Sequence, residues 1–429
     1  MNPTTATKSN DDEYWRDHLN WSAKQARILT DGGNAMRYYS SEYGCPFSPE
    51  ELPHHHLERG DSHTAFRRWA RERYDGRAPY KEERRMIALS NGAISTIWRS
   101  SPIIGAWVRT IFAGRWEHTT NKDEITYNVQ TGTLFVDLRI PISKPIGRWE
   151  NILKHVVVTD DYYRQALTSL SDQDLRLYAR QHVFGGFSVL ATENKAPGRA
   201  LATRHHCVDW NHIPGKPRPL PNKWYIECEN ASAPTNRWKE WSYPTDNNGQ
   251  CYYYEIWERI MGDEMGQGLR LAMRKCNDDN ATSSSSGTCH DDGIFVVVGD
   301  HFNYVLGRQW SGREKPYPNA TNISVLVDMA IQNGDRETAI SFLSLDGGHG
   351  TISSGWKIDC SIQPWNHGMR VFNRIGGREA QVRVVGRGAD FFSWKVFMGT
   401  TLWEIYESSI ECASELEVLL TESYSRSLL

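Results

Sequence analysis

Nowhere in the 429 residues does an apolar run approach the roughly 18–20 residues that a bilayer span requires. The stretch from Met1 to Asn20 is polar and carries Asp11, Asp12 and Glu13. It lacks the basic and apolar regions of a signal peptide, and its acids count against a transit peptide, so a cytoplasmic or nuclear location is expected. Basic excess is also missing: 49 Lys and Arg stand against 52 Asp and Glu, a net charge of −3, which speaks against a nucleic-acid binder or a basic membrane-surface protein. No two of the eight cysteines (45, 207, 228, 251, 276, 289, 360 and 412) form a CxxC pair. They read as reduced thiols acting as small core hydrophobes, with Cys276 and Cys289 able to pair only in an oxidising compartment.

Catalytic signatures are equally scarce. There is no G-x-S-x-G, HExxH or dinucleotide fingerprint, and no cofactor is expected. His54-His55-His56 follows Pro53 without spaced Cys or Asp partners, so no metal site is expected. Gly347-Gly348-His349-Gly350 lacks the phosphate-loop pattern and reads as a hairpin turn.

What the chain has is aromatic side chains: 17 Trp, 19 Tyr and 13 Phe within a hydrophobic fraction of only 39%. Large aromatic surfaces suit strands and barrel interiors. Residues 1–95 stand apart, rich in charge, with helical spacing at Trp15, Leu19 and Ser22 and again at Phe66, Trp69, Ala70 and Arg73. From Ile97 the texture turns to short strands. Thr133 to Ile140 alternates so that Leu134, Val136, Leu138 and Ile140 share one face and Phe135, Asp137 and Arg139 the other. Ser171 to Asp174 reads as a helix cap, and Gly185-Gly186 as a bulge or bend. Further strands are expected at Ala202 to Trp210, Lys223 to Glu229, Arg237 to Trp241, Cys251 to Ile260, Leu269 to Lys275 and Gly293 to Leu306. Val325 to Gln332, Glu337 to Ser344 and three later segments follow, and a helix is expected over about Leu402 to Leu420. Residues 277–287 read as a polar insertion. Roughly fifteen strands exceed one small barrel. The expected organisation is a helical extension over 1–95, one antiparallel barrel over 96–250, a second over 251–400, and a helical tail over 401–429.

The order Tyr178-Ala179-Arg180-Gln181-His182-Val183-Phe184-Gly185-Gly186, His205/His206 to Trp210, Trp238-Lys239-Glu240-Trp241, Tyr254 to Arg259 and Asp292 to Gly299 resembles the fungal Hri family and its uncharacterised bacterial relatives. The strand from Leu134 to Pro141, after Gly114-Arg115-Trp116, resembles the opening strands of the bacterial relatives. The resemblance spans roughly 105–365 and implies a mainly β fold of two consecutive calycin-like (lipocalin-like) barrels. It carries no agreed catalytic residues.

Several polar residues fall where a barrel lumen would take them. Asp137 and Arg139, two apart on one strand face, would form a buried pair able to orient a polar head group, or else a solvent-facing salt bridge. Arg204, His206, Val208 and Trp210 share one face by alternation, and His205, Cys207 and Asp209 the other. His206 beside Trp210 would be a general base or a ligand hydrogen-bonding group, with His205 and Asp209 as a supporting pair, or else a structurally satisfied histidine. His182 precedes Phe184 and would cap a barrel mouth or face a cavity. Glu255 alternates with Trp257; beside that ring in a lumen its pKa would rise, and on a surface it would be an ordinary carboxylate.

Three functions compete. The favoured one is a barrel that binds a small apolar molecule, or a protein partner, with few polar groups fixing orientation. A cofactor-independent isomerase, cyclase or lyase acting on an apolar substrate is the second. A scaffold with side-chain-filled barrels, docking a partner through its N-terminal helices, is the third.

Overall fold

The computed structural model describes residues 103–114, 124–141, 162–192, 200–214, 216, 222–228, 235–242, 253–260, 268–276, 292–309, 315–376, 381–386 and 390–421. The helical extension expected over 1–95, the His54–His56 run and the 277–287 insertion lie outside these residues.

Eight antiparallel strands form the first sheet: β1 (Gly105–Gly114), β2 (Glu124–Gln130), β3 (Phe135–Pro141), β4 (His182–Thr192), β5 (Ala200–Asp209), β6 (Asn222–Cys228), β7 (Arg237–Ser242) and β8 (Tyr253–Arg259). Each pairs with the next, and β8 returns to pair with β1, so the sheet closes into a barrel. β8 falls beyond the boundary expected at residue 250. Two short helices, α1 (Tyr162–Ser169) and α2 (Asp172–Tyr178), connect β3 to β4. At α2 the expected cap is present: the Ser171 side chain accepts from the Asp174 backbone N–H, and the Asp174 carboxylate reaches back to Ser171.

Among the described residues the second sheet is open rather than closed. Its eight strands are β9 (Arg270–Cys276), β10 (Gly293–Val298), β11 (His301–Leu306), β12 (Asp346–Thr351), β13 (Lys357–Ser361), β14 (Val382–Val385), β15 (Lys395–Met398) and β16 (Thr401–Ser408). They run in the order β13-β12-β11-β10-β9-β16-β15-β14, and among the described residues the end strands β13 and β14 do not pair with each other.

Two expected strands are helices instead: α3 (Ile323–Gln332) and α4 (Arg336–Ser341). β-branched residues favoured a strand reading, but Ile323, Leu326, Val327 and Ala330 are buried at helical spacing. Asn322 caps α3 by accepting from Val325 N, and Asp335 caps α4 by accepting from Thr338 N. The tail expected as one helix divides into β16 and a helix, α6 (Ala413–Thr421), with α5 (Val371–Ile375) lying earlier. The glycines at 347–350 form strand β12 rather than a turn. A Cβ on Gly347 would lie 2.7 Å from Val183 Cγ2 of the barrel, so glycine there permits close approach of sheet and barrel.

The alternation predicted for β3 holds. Leu134, Val136, Leu138 and Ile140 point outward into a large apolar core shared with Phe295, Phe302 and Val305 of the second sheet. Polar ties cross the same interface. Asn303 Nδ2 donates to the carbonyls of Val136 (2.9 Å) and Tyr127 (3.2 Å), and the Thr133 N–H donates to Glu407 at 3.0 Å. Phe135, Asp137 and Arg139 point the other way, into the barrel. Among the described residues no helix is long and apolar enough to cross a membrane. Cys207, Cys228, Cys360 and Cys412 are free thiols, and Cys289 lies outside the described residues.

Candidate functional site inside the closed barrel

Strand alternation decides which side chains enter the barrel, and cross-strand pairing brings them together. Asp137 lies opposite Phe184 on β4 and Asn128 on β2; Arg139 lies opposite His182 and Thr126. Across the barrel, Trp238 and Glu240 of β7 lie opposite Trp257 and Glu255 of β8. Two layers result.

One end is aromatic. Trp107, Trp238 and Trp257 are fully buried with Ile103, Ala202 and Ile226. The indoles of Trp238 and Trp257 stack with centroids 5.4 Å apart, and Trp107 meets Trp238 edge-on at 5.9 Å. The adjoining layer is ionic. Arg109 Nη1 donates to Glu255 Oε1 at 2.8 Å, and Arg139 Nε donates to Asp137 Oδ1 at 2.8 Å. Arg139 also lies 3.6 Å from Glu255, and Arg204 Nη1 reaches Asp137 Oδ2 at 3.4 Å. All these groups are buried except Arg139, which is 15% exposed. The guanidiniums rest on rings: Arg204 over Phe135 (4.8 Å) and Trp224 (5.3 Å), Arg139 over Phe184 (5.6 Å).

The charges perturb one another. Burial works to raise the Asp137 carboxyl, but Arg139, with Arg204 and Arg109, outweighs it and holds it below the ordinary carboxylate value. Glu240 behaves oppositely. Burial, with repulsion from Glu255 and Asp137, pushes it up to about 8 against the pull of Arg204 and Arg139. It is therefore protonated at neutral pH. Glu240 lies directly across the ladder from Glu255.

Beyond the ionic layer lies a histidine pair. Asp209 binds His206 Nδ1 at 2.8 Å through one carboxylate oxygen and approaches His182 Nε2 at 3.5 Å through the other. His206 stacks on Phe184 at 4.3 Å. Burial lowers the His206 pKa despite Asp209; burial works to raise Asp209, but the adjacent His182 and His206 outweigh it and hold Asp209 well below the ordinary carboxylate value.

Seven of the eight expected residues (Asp137, Arg139, His182, Phe184, His206, Glu255 and Trp257) come together around this interior. Trp210 does not. Gly185 pairs with Val208, but Gly186 pairs with His206, so Cys207 is a bulge that reverses the alternation beyond it. A Cβ on Gly186 would lie 1.8 Å from His205 O, so only glycine fits beside the bulge. Val208 and Trp210 accordingly join the outer core, where the Trp210 indole donates to Ala179 O at 2.9 Å. The same reversal makes His206, not His205, the partner of Asp209; His205 stacks on Phe187 at 4.4 Å.

Alternation alone did not single out Arg109 or Glu240. The available signal was a charged residue two positions from a tryptophan on the same strand face, as in Trp107/Arg109 and Trp238/Glu240. Among the described residues no group of three or more His, Cys, Asp or Glu side chains is arranged to hold a metal ion.

No family model matches the sequence, and no curated protein matches it. Among solved structures, the crystal structure of the uncharacterised protein YLR301w from Saccharomyces cerevisiae is similar at 13% identity and a TM-score of 0.36, over 71% of this chain and 98% of that one.

Proposed function

We propose that the closed barrel is a calycin-like receptor for one small amphipathic molecule, and that the chain is a relative of the Hri family. The single observation that carries the receptor reading is a contiguous set of unmatched polar atoms along the inner wall. Buried polar groups in proteins are nearly always hydrogen-bonded. Here Thr126 Oγ1, both amide atoms of Asn128 and Gln130 Oε1, all on β2, are buried without a hydrogen-bond partner in the protein. So are Arg204 Nη2, Glu255 Oε2 and the indole nitrogens of Trp238 and Trp257. Each unmatched group costs about 1–3 kcal/mol, so a wall with this many favours a ligand with complementary polar atoms. An eight-stranded barrel has an interior that side chains fill or that holds one small ligand, and the unmatched polar atoms favour the second. The ionic layer makes that ligand amphipathic rather than wholly apolar.

Native mass spectrometry of the full chain, purified without detergent from the cells that express it, tests this. The expected result is a stoichiometric non-covalent mass released on denaturation. Loss of that mass in Ala202→Trp, which adds bulk to the inner wall, would place it in the barrel. An empty protein whose melting temperature is unmoved by carboxylate, phosphate, alcohol and amine amphiphiles would overturn the reading.

A catalytic reading has one specific observation in its favour: the His206–Asp209 pair, 2.8 Å long, at the edge of the ionic layer. A histidine oriented by a carboxylate and kept neutral by burial has the properties of a general base. The released ligand, incubated with fresh protein, would be converted under this reading and returned unchanged under the receptor reading.

A further inference from the structure

We propose that the head group received by the barrel is an anion, a carboxylate or a phosphate monoester, and that Arg204 is its principal partner. The inference rests on the receptor reading and names the chemistry of the same site.

Three guanidiniums and three carboxyls face one another, but they are not evenly matched. Arg109 is committed to Glu255 and Arg139 to Asp137, each at 2.8 Å. Arg204 has only the far oxygen of an already paired Asp137, at 3.4 Å through Nη1, while its Nη2 is buried with no protein partner. Its side chain is 2% exposed. The third carboxyl, Glu240, lies in register with Glu255, and two buried carboxylates directly opposite each other disfavour double ionisation. With Glu240 carrying its proton, the layer holds three positive charges against two negative ones. A buried, incompletely paired guanidinium is costly, and an incoming anion relieves that cost. The indole N–H groups of Trp238 and Trp257 are donors only, so they too call for an acceptor. A neutral alcohol would leave the excess charge uncompensated, and an ammonium group would add to it.

The test is isothermal titration of the full chain, freed of any passenger on a hydrophobic resin, with decanoate, decyl phosphate, decanol and decylamine at neutral pH. The two anions are expected to bind at least about tenfold tighter than decanol, the scale of one charge-assisted hydrogen bond. Their order tells a carboxylate from a phosphate source. Decylamine should not bind. Arg204→Met should erase the preference for anions. Arg204→Lys keeps the charge but loses the fork, and should retain a preference reduced several-fold; it serves if the methionine variant does not fold. Trp257→Phe should weaken the anions more than decanol. Equal binding of decanol and decanoate, or an unchanged preference in Arg204→Met, would overturn the anion assignment and leave the receptor standing. Failure of all four amphiphiles to bind would overturn both.

Discussion

The two sides of β3 live in opposite environments. Outward, Leu134, Val136, Leu138 and Ile140 enter a continuous apolar core against the second sheet, tied by the hydrogen bonds that Asn303 Nδ2 donates to Val136 O and that the Thr133 N–H donates to Glu407. Inward, Phe135, Asp137 and Arg139 enter a lumen with two buried arginines, the half-buried Arg139, three buried carboxyls and several unmatched polar atoms. Burying apolar area stabilises a fold at roughly 25 cal/mol per Å². A buried ion cluster does not do so reliably, because desolvation offsets the Coulomb attraction. The outer face therefore holds the molecule together, while the inner face maintains a polar surface that stability alone does not call for. That division is the physical case for a binding site.

Variants on the two faces should separate these roles. Asp137→Ala leaves Arg139 and Arg204 without their carboxylate and should destabilise by about 3–5 kcal/mol in urea unfolding. The double variant Asp137→Leu/Arg204→Met should recover most of that loss yet carry no ligand. If the double variant is as unstable as the single one, the cluster is structural and the comparison breaks. Ile294→Ala, on the second sheet's side of the core, should cost roughly 2–5 kcal/mol while leaving ligand stoichiometry unchanged in the folded fraction.

Glu240 sharpens the contrast through pH. Its carboxyl titrates near 8 in the fold against 4.5 when exposed, so between those values the folded state holds a proton that the unfolded chain has lost. Stability from this group is thus full below pH 4.5 and declines as pH rises through about 8. Glu240→Gln should abolish that decline, gaining at least about 1 kcal/mol over the parent at pH 9. Asp137, with its pKa depressed, has the opposite sign: its contribution is present above about 3.8 and is lost as pH falls through its lower folded value. The smallest effect expected is Ser171→Ala at the start of α2, about 1 kcal/mol, with no change in ligand content.

The inward and outward faces of β3 were legible in the sequence because period-2 alternation there is unbroken. So was the helix cap at Ser171. The bulge at Cys207 was foreshadowed by Gly185-Gly186 on the paired strand, but the alternation of β5 was read straight through it. That assigned Trp210 to the lumen and gave Asp209 the wrong histidine. The 323–341 segment was misread because Ile323, Val325 and Val327 favour strands locally, while the caps at Asn322 and Asp335 signal helices. Arg109 meets Glu255 only through the closing of β8 onto β1, a long-range pairing with no local signature.

The most direct test of the account is an atomic-resolution crystal structure of the full chain, purified without detergent, beside the same protein stripped on a hydrophobic resin. The account predicts a non-protein molecule inside the barrel of the unstripped form, with an acceptor within hydrogen-bond distance of Arg204 Nη2, and its loss on stripping. If instead the Arg204, Asn128 and Trp257 polar atoms are matched in both forms by side chains and ordered water alone, the inner wall is structural and the receptor assignment is wrong.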